Sequence, residues 1–304
     1  MRLVFAGTPE VAVPALEAIA ESRHELLAVL TRPDAPSGRG RRLQPSPVAQ
    51  RAMELGIEVL KPHHPRDEDF LARLRELGPD ACPVVAYGAL LPREALEIPP
   101  LGWINLHFSV LPRWRGAAPV QRAVMAGDQR IGTSCFRIVA ELDAGPVFDV
   151  ESRPMPELTA GELLAELATS GAEQLVRTLD AVEAGAEPSP QAADGITLAP
   201  KITPELARVD FCLPADQVRN HVLGCSPEPG AWCEYRGQRL KLFRVTGASS
   251  PVPLGPGELH VTKKQVFLGC GGGEAVELLE VQAPGKRRMA AIDWARQGVS
   301  GSLT

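Results

Sequence analysis

No apolar run at the start of this chain is long enough for a secretory leader or a membrane span. Met1-Arg2-Leu3-Val4-Phe5-Ala6-Gly7 breaks off after a few residues. The six cysteines (Cys82, Cys135, Cys212, Cys225, Cys233 and Cys270) lack the short paired spacing of zinc or thioredoxin motifs. In a chain of 304 residues they read as buried free thiols rather than a disulfide framework, which points to the cytoplasm. A Walker-type Gly-Lys-Ser/Thr is missing. The turn after the first predicted strand offers Gly7-Thr8-Pro9 instead of the glycines that admit a pyrophosphate, so a nicotinamide-dependent oxidoreductase is set aside. His63-His64 stands between Pro62 and Pro65 with no acidic or thiol partner at recognisable spacing, and no metal is expected. No internal repeat is found.

What is present is ordinary for a globular protein: 44% hydrophobic and 23% charged residues, in a length that favours two domains. A net charge of −5 argues against a protein that coats nucleic acid nonspecifically, because that affinity comes from neutralised phosphates. The charge is uneven. From Pro204 onward 12 Lys+Arg face 10 Asp+Glu, whereas the remainder is acidic. The asymmetry permits a nucleic-acid partner without demonstrating one.

The first part of the chain alternates short apolar runs with helical patterns, predicting an α/β unit with a Rossmann-like, mostly parallel sheet and helices on both faces. Strands are predicted at Leu3 to Ala6, Leu26 to Leu30, Ile57 to Leu60, Ala81 to Ala86, Trp103 to His107 and Thr133 to Val139. Helices are predicted at Val11 to Ile19, after Ser46-Pro47, at Asp67 to Leu77, Pro119 to Ala126 and Thr159 to Val182. This first domain spans 1–186. A Pro-rich stretch, 187–203, reads as a linker. The remainder, 204–304, shows short β-type runs at Ala231 to Tyr235, Leu240 to Val245, Gln265 to Gly269 and Ala275 to Val281. It predicts a small C-terminal β-barrel, OB-like, with the glycines of Gly269 to Gly273 in a hairpin loop.

The block most telling of chemistry runs from Ile104 to Pro119: Ile-Asn-Leu-His-Phe-Ser-Val-Leu-Pro-Arg-Trp-Arg-Gly-Ala-Ala-Pro. Asn105 and His107 are two apart on a strand and therefore share a face, at the carboxyl end where open α/β sheets place ligands. An amide beside an imidazole can hold a carbonyl oxygen as it becomes an oxyanion. A carboxylate is needed to bias the imidazole, and Asp143, in the turn Glu141-Leu142-Asp143-Ala144-Gly145-Pro146, is the best candidate. Taken singly, each has a bland reading: a surface histidine, an asparagine bonded to its own turn, a turn aspartate.

Asn-x-His-x-Ser-x-Leu-Pro-Arg-x-Arg-Gly-Ala-Ala-Pro, followed by Leu-Asp-x-Gly, resembles the motif of the folate-dependent formyltransferases. The resemblance implies a formyl donor, 10-formyltetrahydrofolate, and a catalytic trio of Asn105, His107 and Asp143. It implies folate held along Ser109, Val110, Leu111 and Pro112, with Ala89, Leu90 and Leu91, in the segment Tyr87 to Pro92, lining the pterin pocket. One departure is Phe108-Ser109-Val110, where the family more often shows a small residue and then Ser-Leu-Leu. An altered pocket shape is expected from it.

Three features bear on the acceptor. Ala6-Gly7-Thr8-Pro9-Glu10 with Val13-Pro14-Ala15-Leu16 resembles the opening of the tRNA-acting members of the family. Thr31 to Leu43 is a long loop dense in Gly, Pro and Arg. On composition alone it is a solvated surface loop; its likeness to the family's tRNA-gripping loop makes Arg39, Arg41 and Arg42 candidate phosphate contacts. The stretch Val276 to Met289 resembles the family's C-terminal barrel, with Lys286, Arg287 and Arg288 as further candidates. The resemblance thus implies methionine carried on initiator tRNA as acceptor. A small amine such as glycinamide ribonucleotide or an amino-sugar nucleotide is the alternative. A non-catalytic RNA-binding protein would leave the Asn105/His107 strand unexplained. A monomer is expected, as no exposed apolar stripe stands out.

Overall fold

The computed structural model describes residues 1–37 and 42–304. Its strands, in chain order, are β1 (Arg2–Gly7), β2 (Glu25–Leu30), β3 (Ala35–Ser37), β4 (Arg42–Gln44), β5 (Glu58–Leu60), β6 (Cys82–Val85), β7 (Trp103–His107), β8 (Arg130–Arg137) and β9 (Val147–Pro154), then β10 (Ala231–Tyr235), β11 (Gln238–Ala248), β12 (Leu259–Val261), β13 (Val266–Gly269), β14 (Ala275–Gln282) and β15 (Met289–Ala290). The helices are α1 (Val13–Ala20), α2 (Pro47–Glu54), α3 (Glu68–Leu77), α4 (Arg93–Leu96), α5 (Pro119–Met125), α6 (Ala160–Glu183), α7 (Ala215–Gly224) and α8 (Ala291–Ala295). Contacts group them into two compact units, one of residues 1–115, 132–153 and 164–198, the other of 116–131, 154–163 and 199–304.

The first unit is built on a seven-stranded sheet in the order β5-β2-β1-β6-β7-β8-β9. The pairs β5-β2, β2-β1, β1-β6 and β6-β7 are parallel, and β7-β8 is antiparallel. The inner strand β1 is buried over Leu3 to Ala6, as a parallel strand covered on both faces must be. Strand order reverses between β1 and β6, so their carboxyl ends form the crevice where such sheets bind ligands. Helix ends follow local rules. Ser46 Oγ accepts from the Ala49 amide at 3.1 Å and Pro47 occupies the first turn of α2, while Gly78 closes α3 in the left-handed region at φ 54°.

The long polar loop expected after β2 contains an antiparallel ribbon, β3 with β4, in which Ala35 faces Gln44 and Ser37 faces Arg42. Gly and Pro density hides such a ribbon because its pairing depends on backbone groups alone.

In the second unit an antiparallel sheet runs β10-β11-β14-β13-β12, with β15 beside β14. The last residues bridge its two end strands. Thr304 exchanges backbone hydrogen bonds with Glu234 in β10, while Gly301 accepts from Leu259 in β12 and Leu303 donates to Gly257. Leu303 joins Leu240, Leu242, Val276 and Trp294 in this unit's core. Helix α7, unforeseen from the sequence, adds Val218 and Val222 to it. Five of the six cysteines are buried and all are free, with only Cys212 exposed. Burial pushes the Cys135, Cys225 and Cys233 thiols up to about 12. Among the described residues no helix is long and apolar enough to cross a membrane.

Candidate active site

Strand β7 begins in the core with Trp103 and Ile104 and ends on His107. Leu106 stands between the two polar positions, and a Cβ added at Gly171 of α6 would lie 2.9 Å from its side chain. The absence of a side chain at residue 171 leaves room for Leu106 between helix and strand. By strand alternation Asn105 and His107 then point to the face away from α6. Both sit on the antiparallel pairing with β8, Asn105 opposite Phe136 and His107 opposite Ser134. The half-buried Asn105 side chain makes no hydrogen bond among the described residues, which leaves its amide available to a ligand.

His107 is 6% exposed. Its Nε2 lies 2.9 Å from the Trp114 carbonyl oxygen, which can only accept, so Nε2 carries the proton. Nδ1 faces the Asp143 carboxylate at 3.9 Å, too long for a direct bond but close enough for charge to act. Burial pushes the imidazole below its usual value of 6.5; the Asp143 charge and the Trp114 carbonyl push the other way and are outweighed. The resting ring is therefore neutral at pH 7, with a basic nitrogen beside a carboxylate. The Phe136 ring stands nearly perpendicular to it, ring centroids 6.3 Å apart.

Asp143 lies between β8 and β9 with φ 49°, a left-handed conformation in a residue other than glycine. The loop hugs the end of β8: Arg137 donates its amide to the Pro146 carbonyl at 2.9 Å, and a Cβ at Gly145 would meet the Arg137 carbonyl oxygen at 1.7 Å. Only glycine fits there.

The residues read as a folate site follow the ends of neighbouring strands. Ser109 to Pro112 continue directly from β7, and Ala89, Leu90 and Leu91 follow β6. Ser109 is buried and its hydroxyl donates to the Arg113 carbonyl at 2.6 Å, so its side chain braces the turn. Ser134 Oγ donates to the Ser109 carbonyl and accepts from the Leu111 amide. Leu111 is buried and Val110 and Pro112 half-buried, while Leu90 is 80% exposed. Phe108, in the segment that departs from the family pattern, is buried. A cleft of about 600 Å³ lies at the same end of the sheet, lined by Thr8, Arg32, Gln44, Ser46, Arg51 and Glu54 among others.

Comparison with known proteins decides the family. Residues 1–179 match the model described as formyl transferase, and 201–298 match the formyl transferase C-terminal domain. A methionyl-tRNA formyltransferase of Streptomyces avermitilis is 62% identical over 299 residues, covering 97% of this chain and 96% of that one. One from Mycolicibacterium paratuberculosis is 53% identical over 305 residues, with 97% and 96% covered. This chain belongs to the methionyl-tRNA formyltransferase family. Solved structures share its fold. A methionyl-tRNA formyltransferase from Clostridium thermocellum has a TM-score of 0.59 at 14% identity, with 92% of this chain and 99% of that one covered. HypX from Aquifex aeolicus, in complex with tetrahydrofolic acid, has a TM-score of 0.67 at 19% identity, covering 99% of this chain and 48% of that one.

Of the basic residues read in the sequence as candidate phosphate contacts, Arg39 and Arg41 lie outside the described residues. Arg42 is exposed at the start of β4. Lys286, Arg287 and Arg288 are exposed in the turn between β14 and β15. Arg288 pairs with Glu280 and stacks over the Phe243 ring at 4.6 Å, while Lys286 and Arg287 make no ion pair among the described residues. His63 and His64 are both exposed. Of the described residues, His24, Asp180 and Glu183 bring three possible metal donors together. Arg23 already pairs with both carboxylates, at 2.7 and 2.5 Å, and the Met1 ammonium pairs with Glu183 at 2.8 Å, so their charge is matched. Sequence reasoning missed Gln191 and Thr197, which hydrogen-bond to the loop of Asp143 and to Trp114. Their Pro-rich surroundings carry no periodicity to single them out.

Proposed function

We propose that this protein transfers the formyl group of 10-formyltetrahydrofolate to the α-amino group of methionine on initiator tRNA, in the cytoplasm. The observation that carries the reading is the near-full-length likeness to methionyl-tRNA formyltransferases. The placement of Asn105, His107 and Asp143 supports the chemistry.

The methionine nitrogen attacks the formyl carbon, and the carbonyl electron pair moves onto oxygen, where the Asn105 amide donates to it. The proton leaving the amine passes to Nδ1 of the neutral His107, directly or through water. The imidazolium so formed is balanced by Asp143. Collapse of the tetrahedral intermediate breaks the bond to N10 of tetrahydrofolate, which takes the proton from His107. The imidazolium also helps hold the oxyanion until that collapse. Ser109 to Pro112 and Ala89 to Leu91 would seat the folate. The cleft beside Thr8 and Ser46 is open to the acceptor, and the basic residues of 204–304 would add tRNA contacts.

His107→Ala or Asp143→Ala is expected to lower turnover about 100-fold or more. Near-normal turnover in either purified variant removes the assignment. Labelled formyl-folate offered with methionyl-tRNA or with glycinamide ribonucleotide identifies the acceptor. Label on the ribonucleotide alone would overturn the tRNA reading. Replacing Arg41 and Arg42 by alanine is expected to raise the KM for tRNA and flatten its salt dependence while sparing folate binding. An unchanged tRNA KM would make them surface features.

A further inference from the structure

Gln191 is half-buried in a run of exposed residues. Its amide group donates to the carbonyl oxygens of Asp143 and Gly145, both at 2.8 Å. Its Oε1 accepts from Arg115, at 3.1 Å from Nε and 2.8 Å from Nη2. Arg115 is itself 8% exposed, with Nη1 3.4 Å from Glu141 at the head of the same loop. These partners fix which way the amide faces. Turned over, it would aim an oxygen at two carbonyls and hydrogens at a guanidinium that has no acceptor.

The loop needs such a brace. A residue other than glycine held in the left-handed region is strained and persists where its surroundings over-determine it. Six residues further on, Thr197 Oγ1 accepts from the Trp114 amide at 2.8 Å and its carbonyl accepts from the Arg115 amide at 2.9 Å. Trp114 in turn supplies the carbonyl to which His107 Nε2 donates. One short segment thus reaches the backbone that orients the imidazole and the backbone that presents the carboxylate.

We propose that Gln191 is a positioning residue for formyl transfer, holding Asp143 opposite Nδ1 of His107 through its two hydrogen bonds to the loop. The inference rests on the reading of His107 and Asp143 as the catalytic pair.

Two substitutions at 191 and one at 143 test it. Gln191→Leu keeps the volume and loses all polar contacts. Gln191→Glu keeps a partner for Arg115 but has no hydrogens for the two carbonyls. Both are expected to lower kcat by roughly 10- to 100-fold, since a misplaced catalytic group is costly, with KM for tRNA and for formyl-folate held within about twofold. In an Asp143→Asn background Gln191→Leu is expected to add no further loss, because its effect runs through that carboxylate. Wild-type kcat in Gln191→Glu would overturn the proposal by showing that only the contact with Arg115 matters. So would a Gln191→Leu loss that multiplies with that of Asp143→Asn, or that appears mainly in KM. If Asp143→Asn alone retains full turnover, the catalytic reading fails first and the proposal with it. A melting curve on each variant separates lost positioning from lost folding, and the glutamate variant decides the matter if the leucine variant melts early.

Discussion

His107 is under two opposing pressures. Withdrawal from water favours the neutral ring, and the carboxylate 3.9 Å from Nδ1 favours the charged one. Burial prevails, so the ring should titrate below 6.5, and the acid limb of kcat/KM should lie below that pH. Asp143→Asn removes a cause that raises the pKa, and His107 should then titrate lower still. Following the ring protons by NMR in both forms checks this; a titration at or above 6.5 in the native protein would contradict it. At this scale the sequence was legible where chemistry depends on neighbours along the chain. Asn105 and His107 share a face because they are two apart on a strand. Gln191 reaches its site through hydrogen bonds to residues 46 and 48 positions away, and no local pattern records such contacts.

Among the elements, those with strong periodicity were legible to within a few residues: β7 was expected at Trp103 to His107 and found there, and α6 was expected from Thr159 and runs Ala160–Glu183. Those missed or left without bounds have weak patterns. Strand β9, Val-Phe-Asp-Val-Glu-Ser-Arg-Pro, foreseen only as a strand somewhere after the Asp143 turn, is a largely exposed edge with little apolar alternation. Helix α7 is short and buries mainly Val218, Val222 and Leu223. The turn between β8 and β9 was legible from Gly145, but its closeness to Arg137 was not. Gly145→Ala would force a Cβ against a backbone oxygen, so the loop must shift and carry Asp143 with it. Turnover is expected to fall by roughly 10-fold or more at nearly constant substrate KM. Native kcat in this variant would show that the loop can move without consequence.

Across the whole molecule, the buried and half-buried histidines with shifted pKa share one sign. His24 and His107 in the first unit and His221 in the second are all pushed below 6.5, each chiefly by loss of solvent. Each binds a proton more readily when unfolded, so none affects stability well above pH 6.5. As pH falls through 6.5 the unfolded chain gains protons that the folded chain refuses. Stability should therefore decline from there toward the lower folded pKa values, before the carboxylates with lowered pKa, such as Glu58 and Glu162, begin to contribute. A thermal midpoint constant from pH 8 to about 7 and dropping between about 6.5 and 5 is the expected profile. A midpoint flat through that window would mean that these rings are open to water.

The segment from Ser189 to Leu198 has a consequence for tolerance to change. Ser189 exchanges two backbone hydrogen bonds with Val147, Gln191 grips the Asp143 loop, and Thr197 and Leu198 pair beside Arg115. Between these fixed points residues 192–196 are exposed. Lengthening a flexible stretch whose ends are already tied adds little entropy cost, since that cost grows only with the logarithm of length. Extra residues spliced into 192–196 leave both tethers in register, whereas a single residue inserted between Ser189 and Gln191 slides the brace off the loop it holds. The same ten-residue stretch is thus permissive in its middle and intolerant at its ends.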